Sequence, residues 1–221
     1  MKEVFVLIVI AVNGSPRKNW NTHTLLTKAL EGAESEGAKT EMVNLYDLDY
    51  KGCNGCLECK KKYGNSAAKC VTMDGLKPVL EKIESCGALI LGSPIYIGEV
   101  TGMMRSFMER LLFQYSSYEE DRIPCFSRRI QTAFFYTMNA RETAFQKLGY
   151  ANIFKNNATV LEIILGPSRI LVSTETYQIE NYSKYKMSRF NEEERLRRRK
   201  EIFPLDCQKA YEIGAEMAAN R

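Results

Sequence analysis

Two hydrophobic patterns alternate along this chain. The run Val4–Val12 is apolar without alternation, which is typical of a strand buried on both faces. Further short strands are predicted downstream, and apolar residues at three- and four-residue spacing between them predict helices. The five predicted strands cover residues 4–12, 39–45, 88–92, 133–136 and 170–174. Strands that alternate with helices predict an α/β fold, with a parallel sheet and helices on both of its faces.

Local signals place most of the helix ends. Asp74 and Thr101 are predicted N-caps, and Asn191 with Glu194 forms a capping-box pattern before a charged helix. Gly149 predicts a break in a helical region, and Pro204 an interruption of the charged helix. The predicted helices are 24–36, one after Asp74, one after Thr101, 142–165, one after Asn191, and 205–219. We expect a single doubly wound domain over residues 1–221, with strand order 2-1-3-4-5.

The loop Gly14–Thr24 joins the first predicted strand to the first helix, and it is rich in hydroxyl, amide and guanidinium groups. The first amides of a helix lack partners within the helix and carry partial positive charge, so an anion is favoured there. The loop has neither the second glycine of a P-loop nor the three glycines of a dinucleotide fingerprint. Two interpretations remain: a loop that holds the phosphate of a mononucleotide, or an ordinary turn with capping residues.

Two further loops follow predicted strands. Residues 93–98 come after the third strand and 137–139 after the fourth. In the order 2-1-3-4-5, ligands bind in the crevice between the first and third strands. The loops 14–24 and 93–98 therefore meet at the predicted binding site, which favours the phosphate interpretation.

Composition and charge make some classes of protein, such as nucleic-acid-binding and membrane-spanning proteins, less consistent with this sequence. The net charge of +4 comes from 31 basic and 27 acidic residues, a mild balance that suits small anionic ligands better than nucleic acid. The basic run Arg195–Lys200 follows three glutamates on one predicted helix, so we interpret it as a solvated helix face. No apolar run reaches the roughly 20 residues that span a membrane. The N-terminal run lacks a cleavage site, and we expect a cytoplasmic protein.

Four of the seven cysteines lie within 20 residues of one another. Cys53, Cys56, Cys59 and Cys70 have the ligand-like spacing of an iron–sulfur site, with three close thiols and a more distant fourth. Lys60–Lys62 would favour their thiolate forms. An iron–sulfur cluster, a zinc ion and free thiols all remain open. The other three cysteines are isolated and are expected to be small core residues.

Taken together, the motifs resemble the NADPH-dependent FMN reductase and iron–sulfur flavoprotein group, whose fold is flavodoxin-like. The resemblance rests on Gly14–Arg17 with Asn21-Thr22, the cysteine loop 51–73, Ser93–Tyr96 and Tyr177-Gln178. It departs at Trp20, where related loops often carry glycine, and in the later position of the fourth cysteine. The resemblance implies these FMN-binding residues: Ser15, Pro16, Arg17, Asn21, Thr22, Pro94, Ile95, Tyr96, Ile97, Gly98, Met138 and Asn139.

The resemblance also implies an activity. Hydride would pass from NAD(P)H to bound FMN, and electrons would pass on to a flavin, a quinone or another acceptor, with no catalytic side chain required. An alternative is an electron-transfer iron–sulfur flavoprotein that a protein such as ferredoxin reduces. A third hypothesis is a cysteine-ligated zinc module for protein interaction. A homo-oligomer is implied, and the aromatic segment 177–190 either lies at its interface or folds back onto its own domain.

Overall fold

Parallel strands form the centre of the structure, and the part of the chain that the structure describes contains five of them. The computed structural model describes residues 6–64, 67–121, 123–144 and 147–219. The strands are β1 (Ile8–Asn13), β2 (Lys39–Asn44), β3 (Ala88–Tyr96), β5 (Gln131–Thr137) and β6 (Ser168–Ser173), and the two-residue β4 (Glu99–Val100) pairs antiparallel with the end of β3. The strand order β2-β1-β3-β5-β6 confirms the predicted order. The short β4 makes the sheet six-stranded, and so brief a strand carries no readable hydrophobic period. Residues 4 and 5 of the first predicted strand lie outside the described residues.

Within the described residues, six α-helices connect or flank these strands. Their bounds are α1 (Asn21–Ser35), α2 (Lys77–Ser85), α3 (Gly102–Tyr115), α4 (Tyr150–Ile164), α5 (Glu192–Glu201) and α6 (Phe203–Ala219). The predicted caps at Thr101 and Asn191 are confirmed, because each side chain accepts a hydrogen bond from a first-turn amide. The break near Gly149 is also confirmed, since that residue is the N-cap of α4. Asp74 is not the cap of α2, which begins after Leu76.

The sheet buries both of its faces, as the apolar run at its start predicts. Alternate residues of the central strands enter two separate cores. Ile10 and Val12 face the core beneath α2, α3 and α4, whereas Val9 and Ala11 face the core beneath α1 and α6. Burying each such side chain contributes roughly 1.5–3 kcal/mol, so the two cores hold the loop ends of the strands in register.

The isolated cysteines divide between core and surface. Cys86 is fully buried, and burial raises its pKa to about 12, so its thiol stays protonated at neutral pH. Cys207 is half-buried. Cys125 is exposed, so the expectation that it belongs to the core is wrong; it lies in the irregular segment between α3 and β5.

Candidate functional site

The phosphate loop is the segment between β1 and α1, and its own side chains shape it. Asn13 is buried at the end of β1, and its side-chain oxygen accepts from the amide of Ser15 at 3.0 Å. The Ser15 hydroxyl in turn accepts from the amide of Arg17 at 3.1 Å. Trp20 is the N-cap of α1, but its side chain makes no cap hydrogen bond. The first amides of α1 therefore have no side-chain acceptor from the cap residue, and an anion can take that place.

A close approach between two loops explains the glycine that opens the phosphate loop. The amide of Gly14 donates to the carbonyl of Gly92 at 2.8 Å, and its own carbonyl accepts from the Thr101 hydroxyl at 2.7 Å. A Cβ on Gly14 would lie 2.8 Å from the Cβ of Met104, closer than real contacts allow. The glycine thus lets the β1 loop lie directly against the start of α3.

The second loop turns sharply at the end of β3. Ile97 has a φ of 50°, in the left-handed region that a β-branched residue rarely adopts, and its side chain is fully exposed. The Ser93 hydroxyl accepts from the amide of Thr101 at 3.0 Å, which closes the loop onto the N-terminus of α3. This turn places Pro94, Ile95 and Tyr96 beside the phosphate loop.

The third loop follows β5 and is bonded to the first. The hydroxyls of Thr22 and Thr137 lie 2.8 Å apart. The Met138 carbonyl accepts from the amide of Thr176, and the Asn139 side-chain amide donates to the Gln178 side-chain oxygen at 2.9 Å. Three loops from three neighbouring strands therefore converge at one edge of the sheet.

These loops enclose a small cavity, called here the flavin cavity. Its lining contains nine of the twelve predicted FMN-binding residues: Ser15, Arg17, Asn21, Thr22, Pro94, Ile95, Tyr96, Met138 and Asn139. Trp20, Thr137, Thr176 and Gln178 complete it. Pro16, Ile97 and Gly98 do not line it. Ile97 and Gly98 lie in the turn at the end of β3, where both have a positive φ.

The segment after β6 covers part of the flavin cavity. The Arg17 guanidinium donates to the carbonyl of Gln178, and the Asn21 side-chain amide donates to the carbonyl of Tyr177 at 2.8 Å. The cavity volume is about 80 Å³, below the roughly 300 Å³ at the lower end of ligand pockets. The cavity in this structure is therefore smaller than a mononucleotide, and the Tyr177-Gln178 segment lies against its lining.

Two buried polar atoms in the lining lack partners within the described ranges. They are the indole nitrogen of Trp20, a donor, and the side-chain oxygen of Asn139, an acceptor. Buried polar groups are normally hydrogen-bonded, so each calls for a ligand atom of the opposite kind. The phosphate and ribityl oxygens of FMN would accept a hydrogen bond from the indole N–H of Trp20. The ribityl hydroxyl groups and the ring imide of FMN would donate one to the side-chain oxygen of Asn139. The lining therefore fits FMN chemically.

The basic run on α5 is only partly the solvated face that we expected, because Arg197 and Lys200 are exposed but the other three arginines bond to the rest of the chain. Arg195 is buried, with a 2.7 Å bond to the Glu175 carboxylate. Arg198 donates to the Thr174 carbonyl at 2.6 Å, and Arg199 donates to the Asn21 side-chain oxygen at 2.7 Å. The expectation failed for these three arginines because helix periodicity does not show that α5 packs over the segment after β6. Arg199 thus adds positive charge to the phosphate loop, and its contact with Asn21, 178 positions away, gives no local signal in the sequence.

The four clustered cysteines line a second small cavity, called here the cysteine cavity. Cys53, Cys56, Cys59 and Cys70 all contribute to it, beside Arg110 and Gln114 of α3. Within the described residues, however, no group of three cysteine, histidine or acidic side chains is arranged to hold a single metal ion. Thiols from both ends of the loop thus share one cavity without closing around a common centre.

Polar groups around the cysteine cavity suit an anionic occupant. The Nε atom of Arg110 and the Nε2 atom of Gln114 are buried and have no partner among the described residues. Both residues are 2% exposed. Sulfur atoms of an iron–sulfur cluster would accept from these donors, which is the kind of hydrogen bond that sets a cluster's potential. The donor set fits a cluster, although the thiols would have to approach one another.

Lys60 has a different role from the one that its position in the loop suggests. Its ammonium group donates to the carbonyls of Phe113 and Ser116 at the C-terminus of α3. The pKa of the Cys59 thiol is raised, chiefly by burial, and the nearby Lys60 charge only partly opposes this. Lys60 thus favours the thiolate of Cys59, as expected, but burial outweighs its effect on the pKa.

None of the helices within the described ranges is long and apolar enough to cross a membrane.

Known proteins resemble this chain in both sequence and fold. An iron–sulfur flavoprotein from Methanocaldococcus jannaschii is 36% identical over 102 residues, which cover 46% of this chain and 50% of that protein. One from Archaeoglobus fulgidus is 35% identical over 102 residues, covering 46% and 47%. This chain thus spans about half the length of the curated relatives that it matches.

Solved structures of low sequence identity share the fold. An NAD(P)H:quinone oxidoreductase from Methanothermobacter marburgensis has a TM-score of 0.72 at 12% identity, covering 96% of this chain and 99% of that one. An azoreductase from Bacillus anthracis has a TM-score of 0.65 at 12% identity, covering 96% and 100%. These likenesses establish the flavodoxin-like architecture.

A match to a described family covers the three loops and the cysteine segment together. It extends over residues 7–141, from the strand before the phosphate loop to the residues just beyond β5. This range contains every predicted FMN-binding residue and all four clustered cysteines. The chain belongs to the NADPH-dependent FMN reductase family.

Proposed function

We propose that this chain binds FMN in the flavin cavity, oxidises NAD(P)H and passes the electrons to a flavin, a quinone or another acceptor. The observation that carries the proposal is the pair of unpartnered atoms, on Trp20 and Asn139, in a cavity built from three loops of the matched range. Bound FMN would supply the redox chemistry, accepting hydride from the reduced nicotinamide.

The chain's own residues would bind and orient the cofactor. The first amides of α1, the Ser15 and Thr22 hydroxyls and the Arg17 guanidinium would hold the phosphate. Arg199, bonded to Asn21, would add positive charge behind it. Pro94, Ile95 and Tyr96 would border the ring from one loop, and Met138 and Asn139 from another.

Tyr96 is suited to a neutral contact with the ring. Burial raises the pKa of its phenol, and the nearby Arg17 charge only partly offsets that effect. The phenol therefore stays protonated at neutral pH and can donate a hydrogen bond. No side chain in the lining needs to act as an acid or a base.

FMN titration followed by nicotinamide oxidation tests the proposal. Purified protein is titrated with FMN by flavin fluorescence, and the loaded protein is then mixed with NADPH or NADH and ferricyanide. We expect saturable binding and oxidation of at least one nicotinamide. Protein that binds no FMN at millimolar concentration would contradict the whole proposal, whereas FMN binding without nicotinamide oxidation would contradict only the hydride step.

A second candidate function comes from the cysteine cavity. We infer that Cys53, Cys56, Cys59 and Cys70 hold an iron–sulfur cluster, and that the protein transfers electrons from a partner such as ferredoxin. The two unpartnered donors, Arg110 Nε and Gln114 Nε2, support this, as does the name iron–sulfur flavoprotein that the relatives carry. Zinc and free thiols are the competing occupants of the same loop.

Anaerobic iron, sulfide and zinc analysis separates these occupants. A cluster predicts iron and sulfide in equal amounts, and Cys56→Ser should remove most of both. Cys125→Ser is the matched control, because Cys125 is also exposed but lies outside the cavity. Zinc without sulfide, or neither metal, would contradict the cluster.

Assembly and location also remain proposals. The aromatic segment folds back in part, since Tyr182 is buried and its hydroxyl accepts from the amide of Gln178. Tyr185 stays 59% exposed and is free to meet a second copy. We propose a homo-oligomer, which light scattering of the purified protein tests, and a cytoplasmic location, which fractionation of cells tests.

A further inference from the structure

Another cavity, distinct from the cysteine cavity, adjoins the flavin cavity, and we call it the arginine cavity. Its volume is about 440 Å³, and it lies between the loop after β5 and the start of α5. Asn139 lines both cavities. The charged residues that line the arginine cavity are Arg141, Arg189, Glu194 and Arg195.

Arg195 presents an unused donor to the arginine cavity. The residue is only 5% exposed, and one guanidinium nitrogen donates to the Glu175 carboxylate at 2.7 Å. Another donates to the Asn139 carbonyl at 3.2 Å. Its Nε atom is buried without a partner among the described residues. Arg195 lines the arginine cavity, and a buried N–H of this kind is normally hydrogen-bonded.

The balance of charge at this cavity is positive. Glu175 pairs with both Arg195 and Arg141, and Glu194 lies 3.6 Å from Arg141. Three arginines are thus opposed by two carboxylates. Arg189 is exposed and has no ion pair within the described ranges, so its charge is the one available to a ligand.

We propose that the arginine cavity binds the phosphate-bearing arm of the reduced nicotinamide dinucleotide, while the nicotinamide reaches the flavin past Asn139. Guanidinium forks match phosphate oxygens, and the volume lies within the range of ligand pockets. The inference rests on the proposed function. Arg189 and Arg195 lie outside residues 7–141, so this subsite comes from the part of the chain beyond the family match.

Calorimetric titration with adenosine 2′,5′-bisphosphate tests the subsite without turnover, because the probe carries no nicotinamide. In FMN-loaded protein, Arg189→Gln should weaken binding of the probe by about three- to tenfold, the range for a partly exposed charge-assisted bond. Arg197→Gln is the matched control, since it removes the same charge from an exposed position on α5 that does not line the cavity. The control should leave the affinity unchanged.

A second variant tests the buried donor. Arg195→Lys keeps the positive charge but removes the Nε group and the fork, and it should weaken binding of the probe about tenfold. In turnover, Arg189→Gln should raise the KM for NADPH and leave kcat unchanged, because the lost contact binds substrate and transition state equally.

The outcomes distinguish this inference from the proposed function. Equal affinities for Arg189→Gln and Arg197→Gln, or no binding of the probe at millimolar concentration, would overturn the subsite even if NADPH is oxidised normally. Binding of the probe that depends on Arg189, in protein that oxidises neither nicotinamide, would support the subsite and contradict the hydride step instead.

Discussion

Arg17 is the cation of the phosphate loop that reaches the flavin cavity. Its guanidinium donates to the Gln178 carbonyl in this structure, so the same group that would hold a phosphate also holds the covering segment. A phosphate would compete with that carbonyl and would be favoured, because it is an anion and can accept two parallel hydrogen bonds from the guanidinium. In the proposed function, Arg17 would therefore couple cofactor binding to the position of the Tyr177-Gln178 segment.

Replacement of Arg17 tests this role. Arg17→Ala should weaken FMN binding by roughly ten- to a hundredfold, since a hydrogen bond to a charged group contributes about 1.5–3 kcal/mol. Fluorescence titration measures the change. Lys18→Ala is the control from the same loop, because Lys18 pairs with Asp47 and does not line the cavity. Equal losses in both variants would point to general charge rather than to a contact by Arg17.

The ion pair between Arg110 and Asp74 is the most buried of those within the described residues. The two side chains are 1% and 17% exposed, with 2.5 Å between nitrogen and oxygen. Although burial opposes ionisation of Asp74, its bond with Arg110 prevails and lowers the pKa of the carboxyl. The pair anchors α3 to the chain that follows the cysteine loop.

Breaking the ion pair between Arg110 and Asp74 should lower the free energy of unfolding much more than breaking an ion pair at the surface. Asp74→Asn leaves Arg110 buried without a counter-charge, and we expect a loss of about 3–5 kcal/mol in the free energy of unfolding. Urea denaturation measures it. Glu31→Gln breaks the exposed pair with Lys28 and should cost under about 1 kcal/mol. Similar midpoints for the two variants would show that water reaches Arg110.

At the scale of elements, the contact between α1 and α6 depends on glycine. A Cβ on Gly214 would lie 1.8 Å from the Ala29 carbonyl oxygen, and one on Gly32 would lie 2.0 Å from the Tyr211 carbonyl oxygen. The two backbones are thus closer than any side chain permits. Since α1 begins at the phosphate loop, this contact also supports the site.

A single methyl group at that contact should separate the helices. Gly214→Ala should lower the free energy of unfolding by about 1–3 kcal/mol or more through overpacking, despite the better helix propensity of alanine. Thermal or urea unfolding measures it. Gly102→Ala is the control, because a Cβ there meets no atom within 4 Å. Destabilisation by Gly102→Ala of the same size would refute the packing explanation.

At the scale of the whole molecule, the single histidine gives stability a dependence on pH near neutrality. Burial and the nearby Lys18 charge lower the pKa of His23 from 6.5. The unfolded chain therefore binds a proton at higher pH than the folded one, so stability falls as the pH drops through 6.5. Asp74 adds a second loss in acid, because its lowered pKa gives stability that is present above 3.8 and lost as the pH falls through its folded value.

Unfolding at several pH values tests the histidine contribution. Between about pH 7.5 and 5.5, wild-type protein should lose stability, and His23→Gln should lose less over the same interval. His23 is the only histidine in the chain, so no other imidazole contributes to the difference. A slope in the variant equal to that of the wild type would contradict the assignment to His23.

The count of strands that alternate with helices predicts the strand order, and the sequence by itself determined the place of the three loops and most helix ends. These follow from period, caps and breakers, which act over a few neighbouring residues, as at Thr101, Gly149 and Asn191. Nine of the twelve predicted FMN-binding residues line one cavity for the same reason, since parallel strands bring their carboxyl ends to one edge.

Only the tertiary structure decided what lies over and beside that edge. Two contacts, from Arg17 to Gln178 and from Arg199 to Asn21, join positions up to 178 residues apart. The unpartnered donor of Arg195 likewise comes from a distant part of the chain. The same holds for Arg110 and Gln114 at the cysteine cavity. Such contacts depend on how helices pack across the sheet, and no local pattern of hydrophobic or charged residues encodes that packing.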